Sequence, residues 1–127
     1  MKEKEIESII KLGPEARYRY FVVRVADADE LWSLANEQGW VLSGDFSGRE
    51  HVPVWSHSVY AERCAVGAWE GTVPKRISLE QWLERWVPGM IRDSRLIAVF
   101  PTPNHSGLSV EPKRVELDIK KELEMIE

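Results

Sequence analysis

Along the chain, apolar residues recur with a helical period near both ends and in a central block, and with a period of two between them. Ile6, Ile9 and Ile10 stand at i, i+3 and i+4, which predicts a short amphipathic helix ending at Gly13. Pro14 suits the first turn of a second helix, where its missing N–H costs nothing. Tyr18, Phe21, Val22 and Val25 form that helix's apolar stripe, and Arg17, Arg19 and Arg24 fall mostly off it. From Leu31 the period changes to two. Trp32 and Leu34, then Trp40 and Leu42, mark two strands around the turn Asn36-Glu37-Gln38-Gly39, with Gly39 free to take a positive φ. A further turn at Asp45-Phe46-Ser47-Gly48 leads to a third strand over residues 50–55. Together these make an antiparallel three-stranded meander.

Ser56 or Ser58 is placed to cap a helix running to about Val66, with Gly67 as its stop. A short strand is expected over residues 73–77, at an edge because Pro74 cannot donate to a ladder. Ser78 and Gln81 form a capping-box pattern ahead of Leu79, Trp82, Leu83, Trp86 and Val87, one helical face that Pro88-Gly89 should end. Residues 95–100, "RLIAVF", read as a buried strand, "PTPNHSG" as a turn, and residues 107–110 as a partner strand. A last helix over residues 112–126 carries Val115, Ile119, Leu123 and Ile126 on one side. The order α-α-β-β-β-α-β-α-β-β-α predicts an α+β fold, a mixed sheet built on the meander and packed with helices.

Composition adds limits to this plan. The 127 residues suit one domain with a core of its own, and the apolar and charged fractions of 43% and 30% are those of a globular chain. The 17 basic residues are scattered among 21 acidic ones, net charge −4, which argues against a nucleic-acid footprint. One cysteine excludes an intramolecular disulfide, and the three histidines show no metal-ligand spacing, so no metal or cofactor is expected. With no apolar run of membrane-spanning length and no secretory leader pattern, a cytoplasmic protein is expected.

The chemistry worth weighing gathers around "VPVWSHSVYAERCA", residues 52–65. His57 and Cys64 on one helix would lie two turns apart, roughly 10 Å along the axis, too far for a nucleophile and its base. Cys64 therefore reads as packing. His57 falls where a strand enters a helix, so Ser56, His57 and Ser58 could present a polar N-terminus to an anion, with Lys75 and Asn104 in support, or could simply cap the helix. Of six tryptophans, Trp32, Trp40, Trp82 and Trp86 share faces with leucines and read as core. Trp55 and Trp69 are harder to place and are candidate interaction residues. In "EARYRYFVVR" the aromatics face the core and the arginines face solvent.

The runs "PVWSHSVYAERCA", "WEGTVPKRISLEQWLERWVPGM" and "LIAVFPTPN" resemble a family of small bacterial proteins, domain-of-unknown-function family 2750. The resemblance covers roughly residues 16–112, with Pro53, Trp55, His57, Tyr60, Ala61, Cys64, Trp69, Pro74, Pro101 and Pro103 on the motif. The first and last helices lie outside it. It implies no activity, cofactor or catalytic residue. A fainter topological likeness is to the SseB N-terminal domain. The expected function is non-enzymatic: a protein-interaction module, as in an immunity or accessory factor, working on a protein partner or as a homodimer. The alternative is a ligand-binding protein or enzyme using Ser56–Ser58.

Overall fold

The computed structural model describes residues 1–44 and 47–126. Helices α1 (Glu3–Ile10) and α2 (Pro14–Ala28) are followed by strands β1 (Glu30–Asn36), β2 (Gly39–Trp40), β3 (Ser43–Gly44) and β4 (Glu50–Val54). Helix α3 (Ser58–Arg63) and a 3₁₀ turn (Gly67–Trp69) precede β5 (Val73–Ser78). Helix α4 (Leu79–Gln81), a π-helical turn (Trp82–Trp86) and α5 (Val87–Arg92) then run without a break. Strands β6 (Leu96–Val99) and β7 (Leu108–Val110) and helix α6 (Pro112–Ile126) complete the α+β fold.

The strands form two sheets, β2-β1-β5 and β3-β4-β6-β7. The expected meander is present only with a corner in it. Trp40 pairs with Ala35, but after Val41 and Leu42 the chain leaves that sheet, and Ser43 pairs with His51 in the other. A single expected strand has thus become two short ones that switch sheets at a bend. The antiparallel partner of β1 over its full length is β5, from Glu30↔Ser78 to Ala35↔Val73, with β5 at the edge as Pro74 requires. The second sheet is mixed, since β4 runs parallel to β6 and β6 antiparallel to β7. Part of the turn at residues 45–48 lies outside the described residues.

The two sheets are sewn together at Trp32 and Trp55. The Trp32 N–H donates to the Trp55 carbonyl at 2.9 Å, and the Trp55 N–H donates back at 2.8 Å. Beside this bridge the Ser33 hydroxyl donates to the Pro53 carbonyl at 2.6 Å. Strand β3 is too short to reach Pro53, so the proline's missing N–H faces a side chain and leaves no ladder acceptor empty. Helix α2 packs on α6, β1, β6 and β7, burying Tyr18, Phe21, Val22 and Val25 against Val115 and Ile119. The Tyr18 hydroxyl donates to Asp118 at 2.6 Å, and Arg19 pairs with Glu122 at 2.8 Å.

Several helix ends differ from expectation for identifiable reasons. Helix α1 ends at Ile10, and Gly13, with an ordinary negative φ of −68°, is the N-cap of α2. Helix α3 stops at Arg63, with Cys64 as its C-cap. Its N-cap is His57, and neither Ser56 nor Ser58 makes a capping hydrogen bond. Ser78 does cap, accepting from the Gln81 N–H at 3.1 Å. Pro88 does not end the next helix. A mid-helix proline cannot donate to the carbonyl four residues back, and the π-helical turn just before it breaks that ladder, so the helix continues to Arg92. Arg17 is buried and not solvent-facing, and Trp40 is 37% exposed and not core, because β2 is a two-residue edge strand.

Gly107 is the position where the backbone tolerates no side chain. Its φ is +87°, and an added Cβ would meet the Val99 carbonyl oxygen at 2.8 Å and Pro101 N at 3.0 Å. Gly107→Ala should therefore lower stability by roughly 2 kcal/mol or more. Gly44→Ala, whose Cβ meets nothing within 4 Å, should change it by less than about 0.5 kcal/mol. Urea unfolding of the two variants checks the contrast, and equal midpoints would contradict it.

Candidate functional site

The candidate site starts from Trp55, which sequence left between core and surface. Its ring is fully buried, and its indole N–H donates to the Pro101 carbonyl at 2.8 Å. The Cys64 thiol, also buried, donates to the same carbonyl at 3.3 Å. Two donors from different elements therefore hold the first residue of the "PTPNHSG" loop. Trp69 stands edge-on to Trp55, ring centroids 6.1 Å apart at 89°, and is itself half-buried. Between the 3₁₀ turn and the loop runs a groove of about 380 Å³, lined by Cys64, Val66, Trp69, Pro101, Pro103 and Asn104, among others.

A buried arginine holds the loop from below. Arg17 Nε donates to the Phe100 carbonyl at 3.2 Å, Nη1 to the Leu12 carbonyl, and Nη2 to His105 Nδ1 at 3.3 Å. The same His105 nitrogen accepts from the Gly107 N–H at 2.9 Å, and residues 102 and 105 exchange backbone hydrogen bonds. Phe100 adopts a left-handed φ of 57°, a strained conformation for an aromatic residue that these bonds hold in place. Burial lowers the Arg17 pKa from its usual value. Two signals pointed to Arg17: it sits at i, i+4 with Phe21, on the buried side, and one turn after the glycine that starts the helix. Leu12 is five residues away, at the end of the preceding turn, but the partners Phe100 and His105, 83 and 88 residues away in the chain, have no signal in the local pattern.

The polar candidates do not converge. The Ser56 hydroxyl shares a 2.8 Å hydrogen bond with His57 Nδ1, so each already has a partner. The His57 ring lies 5.6 Å from Tyr60 and 6.1 Å from Tyr20, whose hydroxyls approach to 3.4 Å. Burial, and then the charge of Arg24, lowers the imidazole pKa. Ser58 begins α3 and is half-buried. Lys75 is elsewhere, on β5, with its ammonium 5.5 Å from the centre of the Trp40 ring. Asn104 reaches the groove, so of the candidates only Trp69 and Asn104 share it, with Trp55 beneath. His51, one of the three histidines without metal-ligand spacing, is buried with Nε2 2.8 Å from the Ser109 hydroxyl and Nδ1 donating to the Arg49 carbonyl.

The architecture and this groove describe a small α+β protein whose strand-to-helix junction is locked to a rigid proline loop. Residues 18–119 match the model of the family described as protein of unknown function (DUF2750), and the chain belongs to that family. No curated protein and no solved structure matches the chain, so no match supports the SseB likeness. The match extends past residue 112 into α6, where Val115 and Ile119 close the core against α2. That corrects the expectation that the last helix lies wholly outside the family region. Among the described residues, no helix is long and apolar enough to cross a membrane.

Burial pushes the Cys64 thiol up to about 11. At pH 8 its reaction with a disulfide reagent should run about 100-fold or more slower in the native chain than in urea, and comparable rates would reopen Cys64 as a reactive group. For His57, the folded chain resists protonation more than the unfolded chain does. Its contribution to stability is therefore fully present above the ordinary value near 6.5 and is lost as pH falls below it toward the lowered folded value. Melting temperatures between pH 8 and pH 5 should fall less steeply in His57→Gln. Identical slopes would remove the imidazole from the account.

Proposed function

We propose that the protein acts by non-covalent recognition of a partner protein, with the groove between residues 66–69 and 101–106 as its contact face. The observation that carries this reading is the combination of exposed apolar groups with a rigid frame. Val66 is 56% exposed, Ala68 is exposed and Trp69 half-exposed along one wall. The facing loop is fixed by Trp55, Cys64 and Arg17. An aromatic residue beside a stiff loop loses little conformational freedom on binding, which is the usual character of an interface anchor. Asn104 and Ser106 supply polar contacts at the groove's edge. The Cys64 thiol is held by Pro101 and Arg17 by three structural contacts, so the groups nearest the groove serve the frame.

The proposal separates Trp69 from Trp55. Trp55→Ala removes a fully buried ring and should cost about 3–5 kcal/mol, so loss of binding there would say nothing about contact. Trp69→Ala and Ala68→Arg alter the groove wall and should leave cooperative unfolding in place. A photo-crosslinking residue at position 68, in the full chain within the cells that produce it, should join one partner in stoichiometric amount. Trp69→Ala should abolish that adduct, and a crosslinker at Leu117 on the exposed face of α6 should not give it. No adduct at 68, or equal adducts at 68 and 117, overturns the proposal.

A further inference from the structure

A second cleft, of about 420 Å³, opens between the corner after β2, strand β4 and the helix formed by α4, the π-helical turn and α5. Its apolar lining includes Trp40, Val52, Trp86 and Met90, and its volume falls within the range of small-molecule sites, roughly 300–1,000 Å³. Trp40 and Trp86 meet edge to face at 4.7 Å, and Trp86 stacks on Trp82 at 5.7 Å. Trp86 reaches this position because of the π-helical turn. In an unbroken α-helix it would lie with Leu79, Trp82 and Leu83 on the core stripe. The wider turn passes that place to Val87, five residues after Trp82, so the buried line runs Leu79, Trp82, Val87, Met90 and leaves Trp86 half-exposed. Turns of this kind are rare and concentrate at functional sites.

Three charged residues line the cleft, Arg85, Asp93 and Arg95. Arg95 at its edge is answered by Glu50 at 3.2 Å and Asp93 at 3.7 Å. Arg85, which also lines it, has no carboxylate partner among the described residues. Gly89 leaves room beside them, since a Cβ there would meet only Arg92 Nη2, at 3.6 Å.

We infer that this cleft binds a small planar molecule carrying one anionic group, with its ring against the Trp40–Trp86 pair and its anion on Arg85. The aromatic walls select a flat apolar body, and Arg85 offers a planar donor set suited to a carboxylate or sulfonate. The space holds one or two rings.

Naphthalene-2-sulfonate is a suitable probe, titrated into the full chain by calorimetry and by tryptophan fluorescence. Saturable binding at one site is expected, at least about tenfold weaker for uncharged naphthalene-2-methanol and for Arg85→Gln. Trp40→Ala should weaken it similarly, and Gly89→Leu should abolish it by filling the cleft without breaking the helix. Trp69→Ala should bind the probe unchanged, which keeps this site distinct from the groove proposed above. Non-saturable binding, equal affinity for the uncharged probe, or full affinity in Arg85→Gln overturns the inference.

Discussion

Trp55 is the residue on which both halves of the molecule depend. Its backbone exchanges two hydrogen bonds with Trp32 and so joins the sheet β2-β1-β5 to the sheet β3-β4-β6-β7. Its indole N–H holds Pro101, and its ring carries Trp69. An unpaired indole donor in a dry interior is costly, so the bond to Pro101 is as much a requirement of burial as a source of stability. The strand-to-helix junction, the proline loop and the 3₁₀ turn thus all contact one buried side chain, with the Cys64 thiol sharing its hold on Pro101.

A second constraint works from the other side of the loop. Phe100 ends the buried strand β6 in a left-handed conformation, with its N–H bonded to the Val54 carbonyl and its own carbonyl bonded to Arg17. Strain of this kind persists only where surrounding contacts over-determine the backbone. Here a guanidinium from α2, an indole just past the end of β4 and a thiol at the C-cap of α3 all converge on residues 100–101. The groove beside Trp69 inherits its rigidity from that convergence. The cleft beside Trp40 arises differently, from a helix whose phase slips by one residue ahead of a proline.

Much of the secondary structure was legible because it is written locally. The stripe of α2, the Ser78 cap, the edge position forced by Pro74 and the buried strand "LIAV" each rest on neighbours within one or two turns. The errors share one cause. A period of two does not say which sheet a residue joins, so residues 40–43 read as one strand while Trp40 and Ser43 pair in different sheets. A helical stripe does not reveal a π-helical turn, so the pattern places Trp86 in the core and ends the helix at Pro88, while the structure does neither. The pattern puts Arg17 in solvent, because its three acceptors lie in other parts of the chain or just past a helix end.

The sequence alone thus determined the α+β class, most element positions, the family, and the separation of His57 from Cys64 along the chain. Those follow from periodicity, turn chemistry and helix geometry, all short-range. Only the tertiary structure decided that Trp55 is buried while Trp40 is exposed, that Cys64 and Trp69 flank one groove, and that Ser56 and His57 are bonded to each other. The burial of Trp55, the exposure of Trp40 and the groove depend on contacts between segments brought together by the common core, and the bond between the neighbours Ser56 and His57 depends on rotamers that no periodicity encodes.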